Sequence, residues 1–139
     1  MLFRSGLSQG LHTVIEAAAL LKDYPDIVIV FIGEGVKKPA LQARASELGL
    51  TNVRFLPFQP KSELTWSLGT ADVSLISLKK GLGGFIVPSK LYGVLAAGRA
   101  YVAAVEKDGE PTVVAEKFGC GVAAEPETPS EIAEKILYL

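Results

Sequence analysis

Apolar residues along this chain follow two alternating patterns: unbroken runs, and runs spaced as on one face of a helix. The clearest unbroken run is Ile27–Ile32, six β-favouring residues in succession. A continuous apolar run of this length is typical of a strand that is covered on both faces, as in a parallel sheet. Further runs at 53–56, 72–78, 101–105 and 121–124 predict further strands. Helical spacing and helix-start signals predict helices over 7–21, 41–48, 62–68, 88–97 and 111–118, and a last one from 128 onward.

Strands and helices alternate over the whole chain with short connections. This order predicts an α/β fold, a doubly wound, Rossmann-like parallel sheet in three layers with helices on both faces. Because no internal repeat or linker interrupts the pattern, we interpret 1–139 as a single domain. Only Met1–Phe3 stands where the opening strand should lie, so we expect part of that strand to be missing. In such folds ligands bind beyond the carboxyl ends of the strands, which directs attention to loops 33–36, 56–61 and 79–90.

The composition narrows the possible classes of protein. The chain has 139 residues, with 14 Lys+Arg against 15 Asp+Glu and 49% hydrophobic residues. This balance argues against a disordered segment and against a nucleic-acid binder with a basic surface, and it gives no reason to expect an anionic membrane as the main partner. One cysteine and one histidine exclude a Cys-based zinc site and chemistry that needs several imidazoles. No apolar run approaches the ~20 residues of a membrane-spanning helix and no signal-peptide layout is present, so we expect a cytoplasmic protein.

Loop 79–90 carries the densest set of candidate binding residues. Its glycines allow a tight turn and a close approach of the backbone to a ligand. The start of the following helix offers free N–H groups, which suit a phosphate, and a lysine there adds a mobile positive charge. The alternative is a flexible surface loop that ends in a helix cap. The candidates for binding a ligand here are Gly83, Gly84, Pro88, Ser89 and Lys90.

Two other loops that follow strands are weaker candidates. The turn with Gly33 and Gly35 is similar to the start of a dinucleotide-binding fingerprint, but Lys38 stands where a third glycine is needed. A plain strand-to-helix turn is therefore the preferred interpretation, although the turn still lies near any ligand. Segment 55–60 is apolar and stiffened by two prolines, so it suits either a flat wall for a base or a loop packed into the core. Its candidate residues are Leu56, Pro57 and Phe58.

Several motifs occur together in one order along nearly the whole chain. They are Ser8–Leu11, Glu16–Ala18, Phe31–Gly35, Asn52–Pro57, Ala71–Val73, Pro88–Tyr92 and Ala96–Gly98. This succession resembles the carboxyl-terminal domain of group 1 (family 4) retaining glycosyltransferases, most closely the colanic-acid and O-antigen type. The resemblance implies one half of a GT-B fold, in which two Rossmann-like domains enclose the substrate cleft. It also implies that this half holds the nucleotide-diphosphate sugar, while a missing amino-terminal domain supplies most of the acceptor site.

The sequence departs from the pattern of that family at charged positions. The family places a lysine in its first loop to hold the diphosphate, and Gln9 stands there in this chain. The two glutamates that reach the donor sugar and the ribose align with Phe85 and Gly93. We therefore expect Lys90 to compensate the charge of the diphosphate. The resemblance implies no cofactor or metal, and we assign no catalytic base or nucleophile.

The expected donor-binding residues combine the loops with the resemblance. They are Gln9, Gly33, Gly35, Leu56, Pro57, Phe58, Gly83, Gly84, Pro88, Ser89 and Lys90. The expected function is transfer of a sugar from a nucleotide-diphosphate sugar to a glycan or lipid-linked acceptor. Contact with the inner face of the membrane is then indirect, through the acceptor, and no nucleic acid takes part.

Three alternatives stay open. The first is a non-catalytic nucleotide-binding or interaction module of the same fold, which the missing glutamates favour. The second is a nicotinamide-binding domain, against which the incomplete glycine fingerprint speaks. The third is a phosphoacceptor receiver domain, which needs an acidic cluster at the strand ends, whereas Asp72 stands at the beginning of its strand.

Overall fold

A computed structural model describes residues 10–86 and 88–139 of the chain. Strands and helices alternate along these residues as the sequence predicts. The helices are α1 (Leu11–Leu20), α2 (Lys38–Glu47), α3 (Leu64–Thr70), α4 (Lys90–Ala96), α5 (Glu110–Phe118) and α6 (Pro129–Tyr138). The strands are β1 (Ile29–Ile32), β2 (Val53–Leu56), β3 (Val73–Ser77), β4 (Ala100–Ala104) and β5 (Gly121–Ala124).

All strand pairs in the described part of the chain are parallel. β1 pairs with β2, and β3, β4 and β5 pair in that order, so the described strands form two groups. Helices α1, α2 and α6 contribute to the hydrophobic core on one face, and α3, α4 and α5 contribute to the core on the other. This arrangement confirms the predicted three-layer α/β fold with parallel strands covered on both sides.

The core explains why these segments fold as they do. The inward side of α1 is completely buried, because Leu11, Val14 and Ile15 recur at helical spacing and pack against α2 and α6. β4 is buried on both faces from Tyr101 to Ala104, as expected for the central strand of its group. The Tyr101 hydroxyl donates a 2.8 Å hydrogen bond to the carbonyl of Pro111, which satisfies the buried phenol. Burial raises the pKa of Tyr101 above its ordinary value, so the group stays a neutral donor.

Several helix starts differ from the expectation: α2 begins at Lys38 rather than at Leu41, and α4 at Lys90 rather than at Pro88. The helix predicted from Ser62 begins instead with a 3₁₀ turn at Lys61–Glu63, and α3 follows from Leu64. The helix predicted from 7 begins at Leu11, because Gly10 precedes it in a left-handed conformation; residues 1–9 lie outside the described part. In the described ranges, 10–86 and 88–139, no helix is long and apolar enough to cross a bilayer.

Candidate functional site

The start of α1 lies against the carboxyl end of β3. A Cβ atom built on Gly10, which precedes α1, would be 3.5 Å from the Ser77 hydroxyl oxygen and 3.7 Å from the Leu78 carbonyl oxygen. β1 and β3 are end strands of the two groups, each paired on one side in the described part. The carboxyl end of a strand beside a helix start is where doubly wound folds bind ligands, because free N–H groups point outward there.

Two lysines from different loops meet at this edge. Lys37 directly precedes α2 in the loop after β1, and Lys79 follows Leu78 in the loop after β3. Both residues are half-buried. Burial, together with the neighbouring charge of Lys79, lowers the pKa of Lys37. The loops after β1 and β3 therefore each carry a half-buried lysine whose charges influence each other.

A buried hydroxyl lies at the same end of β3. Ser77 is 5% exposed, and within the described part of the chain its hydroxyl oxygen has no hydrogen-bond partner. An unpaired buried hydroxyl is costly, so it marks a place where a ligand atom improves the balance of hydrogen bonds. Neither this residue nor the lysine pair was expected from the sequence.

Glu106, in the loop after β4, holds the segment Gly81–Gly84 after β3, which we call the glycine loop. Its carboxylate accepts hydrogen bonds from the backbone N–H groups of Gly81 and Gly83, the latter at 3.0 Å. Burial acts to raise the pKa of Glu106, but the N–H donors of Gly81, Glu106 itself and Gly83 outweigh it and lower the pKa. The carboxylate therefore stays ionised at neutral pH and engages the N–H group of Gly83, one of the predicted ligand-binding glycines.

A second carboxylate, in the loop after β5, holds the same glycine loop. Glu127 accepts a 3.1 Å hydrogen bond from the backbone N–H of Lys80. It does so with φ at 56°, a left-handed conformation that few residues other than glycine adopt. The loops after β3, β4 and β5 are thus joined through backbone N–H groups and carboxylates.

The other sequence-predicted residues lie in two places. The Gly33 N–H donates a 3.1 Å hydrogen bond to the Leu56 carbonyl, which brings the turn with Gly33 and Gly35 beside segment 56–58. Leu56 is 42% exposed and Phe58 54% exposed, so these apolar side chains present a surface rather than fill the core. Pro57 is also exposed, beside them.

The second group lies at the start of α4. Lys90 is the first residue of α4 and is half-buried, and Ser89 precedes it without a side-chain capping bond. The Pro88 carbonyl accepts a hydrogen bond from Leu91 N–H, which closes the first turn. Gly84 is exposed, with Asp108 in ordinary contact range of its position. Gln9 lies outside the described residues.

The family positions that lack glutamate face different surroundings. Phe85 is 88% exposed. A Cβ atom on Gly93 would be 3.0 Å from the Leu68 side chain of α3, so this position faces helix packing. A side chain at Gly93 would require the end of the Leu68 side chain to move by a few tenths of an ångström.

Comparison with known proteins identifies the family. Residues 2–139 match the model of the family described as glycosyl transferases group 1. The chain belongs to this family. It is 37% identical over 124 residues to an Escherichia coli K12 protein, WcaI, which is named as a glycosyl transferase of colanic acid biosynthesis. It is 30% identical over 131 residues to a Pseudomonas aeruginosa protein, WbjE, which is named as a glycosyltransferase.

These comparisons also define how much of each relative the chain represents. The matches cover 88% and 94% of the chain but 30% and 32% of WcaI and WbjE, so the chain spans about a third of these relatives. The catalytic domain of the cholesterol-α-glucosyltransferase of Helicobacter pylori has the same fold, with a TM-score of 0.76 at 23% identity over 99% of this chain and 82% of that chain. WaaG, a glycosyltransferase of lipopolysaccharide biosynthesis, gives a TM-score of 0.74 at 21% identity, covering 97% of this chain and 35% of that chain. The predicted family and fold are confirmed.

Proposed function

We propose that this glycosyltransferase group 1 chain is the donor-binding domain of a retaining enzyme. The enzyme would move a sugar from a nucleotide-diphosphate sugar to a glycan or lipid-linked acceptor. The observation that carries the proposal is the contact of the α1 start with the carboxyl end of β3, where the glycine loop also begins. In doubly wound folds this edge binds nucleotides.

In this proposal, different predicted residues contact different parts of the nucleotide sugar. The exposed surface of Leu56, Pro57 and Phe58 suits stacking of the base, and the turn with Gly33 and Gly35 lies beside it. Gly83, Gly84 and the segment Pro88–Lys90 approach from the loop after β3. Gln9 is the residue before Gly10 in the sequence.

These residues would serve the leaving group of the reaction. Retaining transfer needs stabilisation of the departing nucleotide diphosphate, and positioned cations and backbone N–H groups supply it. Lys90 is one such cation in our proposal. The nucleotide sugar is a substrate, and the proposal requires no cofactor. We assign no nucleophile or base to this chain and expect it to turn over little or no substrate without an amino-terminal acceptor domain.

The alternative is a non-catalytic nucleotide-binding or interaction module of the same fold. It is favoured by Phe85 and Gly93, which stand where the family has glutamates. In either case we propose a cytoplasmic location. A membrane would be reached only through a lipid-linked acceptor at its inner face.

Thermal-shift measurements with UDP-, GDP- and dTDP-linked sugars, run beside NAD, test the donor-binding proposal. We expect a sugar nucleotide to raise the melting temperature and NAD to leave it unchanged. No response to any sugar nucleotide, even with an amino-terminal domain restored, would refute the proposal.

Lys90→Ala in the intact enzyme should weaken binding of the nucleoside diphosphate, and unchanged affinity would remove Lys90 from the site. Transfer of sugar by the restored two-domain protein separates the enzyme from the non-catalytic module.

A further inference from the structure

We propose that Glu106 is autoinhibitory: its carboxylate occupies N–H groups of the glycine loop and must leave before a nucleotide-sugar donor can use them. The inference rests on the proposed function and adds a competitor that the chain itself supplies. Glu106 Oε2 accepts a 3.0 Å hydrogen bond from the Gly83 N–H, and Oε1 accepts one from the Gly81 N–H. Both bonds join the loop after β4 to the loop after β3.

The glycine loop is folded so that two of its N–H groups converge. The N–H groups of Phe85 and Ile86 both donate to the carbonyl of Leu82, each at 3.0 Å, which closes a tight turn. The N–H groups of Gly81 and Gly83 instead point to one place outside the loop backbone, where the carboxylate lies. Backbone N–H groups that converge in this way form a concave binding site for an anion. In this chain a side chain fills that site.

The resident carboxylate has the charge of a ligand anion. Burial acts to raise the pKa of Glu106, but the N–H donors of Gly81, Glu106 itself and Gly83, together with the charge of Lys80, outweigh it and lower the pKa. Glu106 is therefore ionised at neutral pH. A negatively charged ligand that approaches the same N–H groups meets a like charge as well as occupied donors.

The carboxylate also fills the space in front of Gly83. A Cβ atom built on Gly83 would collide with Glu106 Oε2 and lie 3.2 Å from the carboxyl carbon. Since the N–H group and the carboxylate are in direct contact, no ligand atom fits between them. A ligand bond to the Gly83 N–H and the Glu106 contact therefore exclude each other.

Release of the carboxylate requires movement of the Glu106 side chain only. The Gly109 N–H donates a 2.9 Å hydrogen bond to the Glu106 carbonyl, so a tight turn fixes the backbone at this position. The residue is half-buried rather than enclosed. A change of side-chain rotamer can therefore carry the carboxylate into water while the loop after β4 keeps its fold.

A purely structural role for Glu106 predicts the opposite effect on affinity. If the carboxylate only orders the glycine loop for the donor, its removal weakens binding, because the ligand must then order the loop. If the carboxylate competes with the donor, its removal strengthens binding, because the ligand no longer displaces a charged hydrogen-bond acceptor. The sign of the change in affinity decides between the two roles.

Calorimetric titration of the chain with UDP-, GDP- and dTDP-linked sugars measures that sign. We expect Glu106→Ala to bind the preferred sugar nucleotide about tenfold more tightly, since one charge-assisted hydrogen bond of the competitor is worth that much. Glu106→Gln keeps one acceptor oxygen and should give an intermediate affinity. If Glu106→Ala fails to fold, as judged by its melting temperature, Glu106→Gln carries the same test.

Asp108→Asn is the matched control for the loss of a negative charge. Asp108 lies in the same loop as Glu106, and its Oδ2 would be 3.7 Å from a Cβ atom on Gly84, an ordinary contact. The substitution removes a charge beside the glycine loop and leaves the bonds to Gly81 and Gly83 in place. It should leave the affinity for sugar nucleotides unchanged. An equal gain in affinity for Asp108→Asn and Glu106→Gln would show a general charge effect and overturn the inference.

The carboxyl carbon of Glu106 reports the release directly in a ¹³C NMR titration with pH. In the free chain the pKa of Glu106 should lie below its ordinary value, and saturation with the preferred sugar nucleotide should raise it, because the N–H donors are lost. A pKa that is the same with and without ligand would show that the carboxylate stays in place, which overturns the inference.

Failure of the inference and failure of the proposed function give different results. Sugar nucleotides that bind Glu106→Ala and Glu106→Gln no more tightly than the unsubstituted chain overturn the autoinhibitory role and leave the proposed function standing. Tighter binding by both Glu106 variants, but not by Asp108→Asn, supports both proposals. If no sugar nucleotide binds the unsubstituted chain or any variant, even with an amino-terminal domain restored, the proposed function fails and the inference fails with it.

Discussion

Glu106 and Gly83 fit together so closely that neither tolerates a larger neighbour. Glu106 Oε2 accepts the Gly83 N–H at 3.0 Å, and a Cβ atom on Gly83 would collide with that oxygen and lie 3.2 Å from the Val105 side chain. Any side chain at 83 would therefore displace the end of the Glu106 side chain, whose carboxylate holds the loop through the N–H groups of Gly81 and Gly83.

Replacing Gly83 with alanine should expel the Glu106 carboxylate from the loop. We expect a loss of about 1–3 kcal/mol in the free energy of unfolding, as for an overpacked site, measured by urea denaturation. Gly84→Ala is the matched control, because its Cβ atom would be 3.7 Å from Asp108, an ordinary contact. Equal stability of the two alanine variants would contradict the close fit.

Glu106→Gln should loosen the loop at neutral pH. Glutamine offers one acceptor oxygen where the carboxylate offers two, so we expect amide hydrogen exchange at Gly81 and Gly83 to accelerate by about tenfold. Glu116→Gln, at an exposed position of α5, should leave exchange at these amides unchanged.

The effect of this substitution on stability should depend on pH. The pKa of Glu106 is lowered by folding, so its stabilisation is present above about pH 4.3, the ordinary pKa of the group, and is lost as the pH falls through the folded value. The difference in unfolding free energy between the chain and Glu106→Gln should therefore shrink toward pH 3. A difference that grows on acidification would contradict the assigned direction.

Ser77→Ala should separate binding from stability. The Ser77 hydroxyl has no partner in the described part of the chain, so removing it should not lower the melting temperature. Affinity for UDP or GDP should fall several-fold, because the hydroxyl lies at the edge proposed to bind the donor. Ser74→Ala is the control, because Ser74 carries a similarly unpaired buried hydroxyl but faces the opposite side of β3. If both variants bind UDP and GDP as the unsubstituted chain does, Ser77 is not part of the donor site.

Gly121→Ala should be strongly destabilising. A Cβ atom at this position would lie 2.5 Å from the Tyr101 carbonyl oxygen on the neighbouring strand, and backbone atoms cannot move aside cheaply. We expect a loss of about 1–3 kcal/mol by urea denaturation. Gly69→Ala in α3 meets open space and should be neutral or raise stability by up to about 1 kcal/mol, since alanine favours a helix more than glycine does. An unaffected Gly121→Ala would mean that the strands can separate at this pair.

The order of strands and helices was predictable because burial leaves a local pattern. The run Ile27–Ile32 contains β1, and the predicted helix 111–118 differs from α5 by one residue at its start. The 3₁₀ turn before α3 was not predicted, because Ser62 signals a helix cap in sequence whether or not its side chain forms the bond.

The sequence predicted which loops form the candidate site, but not which residues of those loops contact one another. The sequence singled out loops 33–36 and 79–90, and Lys37 and Lys79 lie just after the first and at the start of the second. Whether the two lysines lie near each other depends on which strands are neighbours. Glu106 and Gly83, which are joined by a hydrogen bond, are 23 positions apart in the sequence. Charged residues in loops have no periodicity, so such contacts leave no local signal. The sequence feature that could have pointed to these residues is their position, since each of them follows a strand.

The two carboxylates that hold the glycine loop also determine when the loop can become fixed during synthesis of the chain. Glu127 lies 47 positions after Lys80, whose N–H it accepts, and Glu106 lies 25 positions after Gly81. When the glycine loop leaves the ribosome, the groups that fix it have not yet been made. The loop can take its final form only after the strands that carry Glu106 and Glu127 have emerged and paired. A nascent chain stalled before position 106 should therefore carry the loop unfixed, whatever the state of the strands before it.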